Sequence, residues 1–240
     1  MSFFLSHPVA GVLFLLGKKD PAHRIQILDT ASGLWNDTNI TSRFRSALDE
    51  LDSMKAKPTE IVDEKNSGGN RPNSTFGKWI WCCVRVFQPE VMVETGVSHG
   101  HSSRNILDAM HRNGKGRLYS IDLPNKDTNP AYNFKGHSTE TGWAVPIELR
   151  TRWELILGDA RIELPALLKR LETIDIFFHD SDHSYDHMLF EFECALPHLK
   201  SHGILLSDDV DKNEAFAHFT QNHGLSMHRF NKGGVAIVRS

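Results

Sequence analysis

The strongest constraint on this chain is a change of rhythm at Thr75. From there to the C-terminus, short apolar, β-rich runs alternate with stretches long enough for helices. A parallel sheet with helices on both faces is the arrangement that buries such a pattern. The spacing predicts strands at 91–95, 117–122, 153–157, 174–179 and 203–208, and helices at 76–87, 102–112, 161–171, 185–198 and 212–222. The last two runs, Leu225 to Phe230 and Gly234 to Arg239, are separated only by Asn231, Lys232 and Gly233. A connection that short requires an antiparallel hairpin. The expected fold class is α/β: a doubly wound sheet, mostly parallel, with a C-terminal antiparallel hairpin strand.

Before Thr75 the pattern differs. Residues 1 to about 63 read as irregular and helical, and one amphipathic segment, Thr41 to Met54, places Phe44, Leu48 and Leu51 at helical spacing. Lys65 to Ser74 is rich in turn formers and poor in apolar residues, so the domain boundary is placed there. This gives a helical extension with a mobile loop over 1–74 and an α/β domain over 75–240. A chain of 240 residues buries enough surface to need no disulfide or structural metal. Its three cysteines, two of them adjacent at Cys82 and Cys83, form no CxxC pair, which fits a reducing cytoplasm. The net charge of −3, spread along the chain, leaves no basic footprint for nucleic acid. The apolar stretch Pro8 to Leu16 falls far short of the roughly 20 residues of a membrane span and lacks the flanks of a secretory signal. It suits a contact between copies in a homo-oligomer.

Val91 to Ser103 reads as an apolar strand, a glycine turn and a helix start. Gly96 and Gly100 would let the backbone approach an anionic or zwitterionic ligand, with Ser102 and Ser103 at the helix N-terminus. The spacing is G-x-x-x-G, not the G-x-G-x-x-G of a dinucleotide site, and a purely structural tight turn explains it too. Asp122 and Asp159 each end a later strand, where ligands of open α/β sheets bind. Each also has an ordinary alternative as a helix cap.

The next two strand ends carry His179-Asp180-Ser181-Asp182-His183 and Ser207-Asp208-Asp209. Three carboxylates from adjacent strand ends suit a hard divalent cation, provided the chain turns at Asp208 and Asp209, which would otherwise point to opposite faces. Solvated helix-capping acids are the alternative. His179, His183 and His187 at i, i+4, i+8 resemble a soft-metal face, but His179 ends a strand, so the three do not share a helix. Cys194 reads as helix core.

With Glu94-x-Gly96-x-x-x-Gly100-x-Ser102, the strand-ending Asp122 and Gly158-Asp159-Ala160, residues 75–240 resemble the class I S-adenosylmethionine-dependent methyltransferases, with their Rossmann-like sheet. The pattern Gly142-Trp143…Arg152-Trp153-Glu154-Leu155…Gly158-Asp159 adds to the likeness. The resemblance implies that Glu94, Gly96, Ser98, Gly100 and Ser102 hold the methionine part of S-adenosylmethionine, Asp122 its ribose, and Asp159 with Ala160 its adenine. The acid cluster is similar to that of metal-dependent O-methyltransferases of the catechol, caffeoyl-coenzyme A and macrolide-sugar types. That likeness implies a divalent metal such as Mg²⁺ on Asp180, Asp208 and Asp209, His183 as base beside Asp180, and a small-molecule hydroxyl acceptor, a sugar or a phenol. The Asp-Asp pair stands where relatives carry Asp-Asn, Glu-Asp or His-Asp, so the metal's identity stays open. Two other readings also stay open: a nicotinamide-dependent oxidoreductase and a non-catalytic binding protein on this fold.

Overall fold

The computed structural model describes residues 21–54, 75–124, 140–230 and 232–238. The loop at 65–74 and the apolar stretch 8–16 with its expected oligomer contact lie outside the described residues. The chain forms two compact units, Met1–Ile61 and Val62–Ser240.

The first unit pairs α1 (Pro21–Trp35) with α2 (Thr38–Met54). The amphipathic pattern announces α2, and the Asp37 side chain caps it by accepting from the Asn39 backbone N–H at 2.7 Å. No one-sided apolar stripe announces α1. Its buried side includes Arg24, whose guanidinium donates to Asp49 at 2.8 Å and Asp52 at 2.6 Å, so a cation takes a place that pattern reasoning reserves for an apolar residue.

In the second unit, α3 (Thr75–Phe87) precedes β1 (Val91–Thr95), α4 (His101–Asn113), β2 (Arg117–Asp122), β3 (Trp153–Leu157), α5 (Ala160–Leu171), β4 (Ile174–His179), α6 (Tyr185–Ala195), β5 (Leu199–Ser207), α7 (Ala215–Asn222), β6 (Ser226–Phe230) and β7 (Gly233–Ile237). The seven-stranded sheet runs in the order β3-β2-β1-β4-β5-β7-β6. Strands β1 to β5 pair in parallel, and β7 enters antiparallel between β5 and β6, as so short a connection requires. The central strands are apolar on both faces because helices cover both. Val93, Ile176, Phe177, Phe178, Leu205 and Leu206 are all buried.

Three predicted boundaries move by three residues or more, each for a local reason. Strand β5 begins at Leu199 instead of 203, across a register shift against Ile174 and Ile176 with His202 at φ +62°. This is a bulge, which hydrophobic alternation does not signal. Helix α6 stops at Ala195 and continues as one 3₁₀ turn, Leu196–His198, because Pro197 has no N–H for a further α-helical bond. Helix α7 starts at Ala215, not 212, where the Asn213 side chain accepts from the Ala215 backbone N–H at 2.8 Å.

The chain turns back on itself beside β1: β2 lies on one side and β4 on the other. A crevice opens at the carboxyl ends of strands at such a switch point. Beneath it lies Glu94, fully buried, accepting from Ser102 Oγ (2.6 Å), Ser103 Oγ (2.6 Å) and Ser120 Oγ (2.8 Å). Ser120 also accepts from Trp153 Nε1 at 2.9 Å, so one carboxylate ties β1 to β2 and to the first turn of α4. Burial pushes the Glu94 carboxyl up from 4.5 to about 6, against the three hydroxyl bonds and with a small addition from Asp122.

The sign of the pH effect follows. The folded carboxyl holds its proton more tightly than the unfolded one, so its contribution to stability is complete below 4.5 and is lost as pH rises through about 6. In urea titrations, Glu94→Gln should therefore gain on the wild-type protein by about 2 kcal/mol between pH 4 and pH 7. Parallel stability curves for the two proteins would show that Glu94 titrates normally.

Candidate active site

A cavity of about 400 Å³ opens in the crevice. One wall is the glycine loop from Gly96 to His99 together with His101 and Ser102; the other is Asp180, His183, Asp208, Asp209 and Lys232. The structure thus brings together the two groups of residues that sequence places 78 positions or more apart.

Asp122 anchors the loop from the end of β2. Its Oδ2 accepts from the backbone N–H groups of Val97 (3.0 Å) and Ser98 (2.7 Å), and its Oδ1 accepts from Leu123 N–H (2.8 Å). Burial raises its carboxyl above the ordinary range, while these backbone bonds oppose the rise. Next to it, Leu123 is 62% exposed, and Ile162, in the first turn of α5, is 69% exposed. Large apolar side chains left in water beside a polar strand end are the kind of surface a planar ring covers. Asp159 is exposed and caps α5 by accepting from Arg161 N–H at 2.8 Å. Asp122, Asp159 and Ala160 do not line the cavity; the last two follow Gly158, whose N–H bonds Asp122 O at 2.9 Å.

The geometry gives Glu94 and the two glycines parts of their own. Glu94 does not reach the cavity: both its oxygens are committed internally, so it supports the loop from below. The glycines allow the chain to approach itself closely, and Gly96 also lines the cavity. A Cβ on Gly96 would lie 2.0 Å from the Asp180 carbonyl oxygen, and one on Gly100 would lie 2.9 Å from Gly142 Cα. Gly96 and Gly100 also sit at φ +82° and +88°, in the left-handed region. Behind the loop, Gly142 and Ala144 N–H bond the carbonyls of Ser98 (2.8 Å) and His99 (2.9 Å), which closes the 140–146 turn against it.

On the other wall, Asp209 has φ +49°, which is the turn that Asp208 and Asp209 need to face the same cavity. Asp209 accepts from Lys212 Nζ at 2.8 Å and lies 3.6 Å from Lys232 Nζ, and it is held below the usual carboxylate range by these cations and His183 against the effect of burial. His183 Nε2 stands 3.8 Å from Asp180 and 3.5 Å from Asp209, too far for hydrogen bonds and close enough to feel both charges. Burial, with His179 and Lys212 nearby, lowers its pKa to about 4, while Asp209 and Asp182 oppose the shift.

Sequence reasoning missed three participants. His101 is buried on the cavity wall with no hydrogen-bond partner on either ring nitrogen among the described residues, and burial, then His99 and Arg104, lower its pKa to about 4. Its ring stacks edge-on to Trp143 at 6.3 Å, and His99 lies 5.9 Å away. Lys232 comes from the hairpin turn, and Glu191 from the middle of α6. An H-x-x-x-E pair, His187 and Glu191, was the available signal for the last. The three-histidine metal face is not formed: His179 and His187 both bond Glu191, and His183 faces the cavity.

Residues 93–210 match the family described as "Methyltransferase domain". No curated protein matches the sequence. Among solved structures, the chain is similar to the SAH-bound Podospora anserina methyltransferase PaMTH1 (TM-score 0.53, 15% identity, 85% of this chain and 88% of that one). It is similar to the Bacillus cereus O-methyltransferase in complex with SAH (TM-score 0.52, 16% identity, 82% and 91%). MycE of the mycinamycin biosynthetic pathway, in complex with Mg, SAH and mycinamycin VI, shares the fold at TM-score 0.53 and 16% identity, over 80% of this chain and 55% of that one. The family match decides against the nicotinamide reading, whose glycine spacing and sheet end were already wrong. By that match residues 93–210 carry a methyltransferase domain, on the fold that SAH-bound methyltransferases share.

Proposed function

We propose that this methyltransferase acts on the hydroxyl of a small molecule, with His183 as base and a divalent ion held by Asp180, Asp208 and Asp209. One observation carries the proposal: a single cavity joins the glycine loop to those three carboxylates and to the histidine. Asp122 offers a carboxylate to the ribose hydroxyls while it holds the loop, Leu123 and Ile162 flank the adenine near Asp159 and Ala160, and Gly96, Ser98, Gly100 and Ser102 shape the methionine end. In this reading His101, with both ring nitrogens unbonded on the same wall, meets the cofactor or the acceptor.

Carboxylate oxygens are the donors that Mg²⁺ takes, and the three aspartates present them to one wall. Among the described residues no three His, Cys, Asp or Glu side chains converge tightly enough to hold an ion, and Asp209 pairs with Lys212 instead. The donor set therefore fits an ion whose binding frees Asp209 from that ammonium. MycE, of the same fold, was solved with Mg and SAH together, which supports placing an ion beside the cofactor. Bound S-adenosylmethionine supplies an electrophilic methyl group, and a bound divalent cation supplies charge that acidifies a hydroxyl. Neutral at ordinary pH, His183 takes the hydroxyl proton at Nε2 as the oxygen gains the methyl group and S-adenosylhomocysteine leaves. An imidazole with its pKa at about 4 is a weak base, so the hydroxyl it serves must already be acidified.

In calorimetry, Asp122→Ala should lower the affinity for S-adenosylmethionine by about 10- to 100-fold, the value of charge-assisted hydrogen bonds to two hydroxyls. Unchanged affinity would remove Asp122 from the site. Excess EDTA, and Asp209→Ala, should each abolish turnover and leave cofactor binding intact; full activity in EDTA would sink the metal and leave a metal-free methyltransferase. With an acceptor in hand, His183→Ala should cost about 10²–10⁴-fold in rate. The wild-type rate should hold as pH falls below the ordinary histidine range and decline only near 4, and the variant should lack that limb. A variant with wild-type turnover and pH dependence would place the base elsewhere.

A further inference from the structure

Glu191 is fully buried in α6 and does not line the cavity, yet four side chains from three elements converge on it. Its Oε2 accepts from Thr95 Oγ1 at 2.5 Å and bonds His179 Nδ1 at 2.6 Å; its Oε1 accepts from Ser181 Oγ and bonds His187 Nε2, both at 2.8 Å. Burial alone would raise this carboxyl, but the bonds and charge of the two histidines and the Thr95 hydroxyl bring it down to about 2, so it is an anion.

The partners fall at telling positions. Thr95 is the last residue of β1, immediately before Gly96. His179 and Ser181 flank Asp180, so in the extended backbone leaving β4 their side chains point inward to Glu191 while Asp180 faces the cavity. The backbone repeats the link, because Asp180 N–H donates to Thr95 O at 2.8 Å and the Asp180 carbonyl rests where a Gly96 Cβ would be. The His179 ring in turn meets the His183 ring edge-on at 5.3 Å between centroids. One carboxylate thus grips the start of the cofactor loop and both neighbours of the acid on the opposite wall.

We propose that Glu191 is a positioning residue that sets the separation between the loop carrying the cofactor's methyl end and the Asp180–His183 segment that activates the acceptor. The assignment of those two segments rests on the proposed function. A buried charged cluster contributes little net stability compared with an apolar replacement, so a role in geometry accounts for it better than a role in stability. Methyl transfer is in-line and sensitive to distance, and a misplacement of about 1 Å costs on the order of 100-fold.

The test uses the full chain and S-adenosylmethionine labelled with ¹³C at the transferable methyl. Glu191→Gln keeps the size of the side chain but faces the histidines with an amide; Ser181→Ala removes one strut and keeps the charge. Both variants should bind the cofactor within about threefold of wild type in calorimetry, because Asp122 still anchors the loop. Both should shift the bound ¹³C-methyl resonance and the His183 ring resonances, Glu191→Gln by more. Wild-type resonances in both variants would overturn the proposal and leave Glu191 a buried structural acid. Should Glu191→Gln not fold, Ser181→Ala alone decides, by the same resonances. Failure of the wild-type protein to bind the cofactor would mark the functional reading as the one that failed, and would take this proposal with it.

Discussion

The site is organised around a backbone contact that only glycine permits. The carbonyl of Asp180 lies in the space a Cβ on Gly96 would fill, so the ends of β1 and β4 meet with nothing between them. Parallel neighbours in a sheet keep their strands about 4.8 Å apart, and their following loops usually diverge to make room for side chains. Here the loops stay together past the last ladder bond, and Asp180 N–H still donates to Thr95 O. One wall of the cavity is therefore placed relative to the other by main-chain geometry, with side chains added to keep it so.

Those side chains are two buried carboxylates with opposite electrostatic fates. Glu94 is surrounded by hydroxyls, which solvate an anion incompletely, and its carboxyl rises to about 6. Glu191 has two imidazoles and falls to about 2. Both are fully buried, so the difference lies in whether a neighbour can carry positive charge. His187 responds in kind, raised by its bond to Glu191. Two further acids are secured differently again: Asp122, at the end of β2, by three backbone N–H groups, and Asp209, on the cavity wall, by two lysines whose flexible stems can let go.

The sequence was most legible where a local rule had no competitor. Apolar runs gave β1, β2, β3 and β4 at their observed bounds, and the short link between β6 and β7 left the antiparallel hairpin as its one solution. It was less legible where tertiary contacts overrode the local pattern. The bulge in β5 exists to fit β4, and α1 buries Arg24 because two aspartates of α2 wait for it. At the site, the strand-end acids were recognisable as types at positions, but their tasks were not. Glu94 and Asp122 carry the same charge one strand apart, and only burial separates an internal anchor from an acid at the crevice.

By itself, the sequence determined the order of strands and helices, the final hairpin, and which carboxylates and histidines stand at strand ends. These depend on periodicity and on the reach of short loops, which are local properties. The tertiary structure decided what each strand end faces. It closed Gly96 onto Asp180, turned Asp209 through a positive φ so that it shares a wall with Asp208, and brought Glu191 from the middle of a helix under both loops. Those outcomes depend on contacts such as Thr95 to Glu191, 96 positions apart, and no local preference encodes a partner that becomes a neighbour only after the sheet has formed.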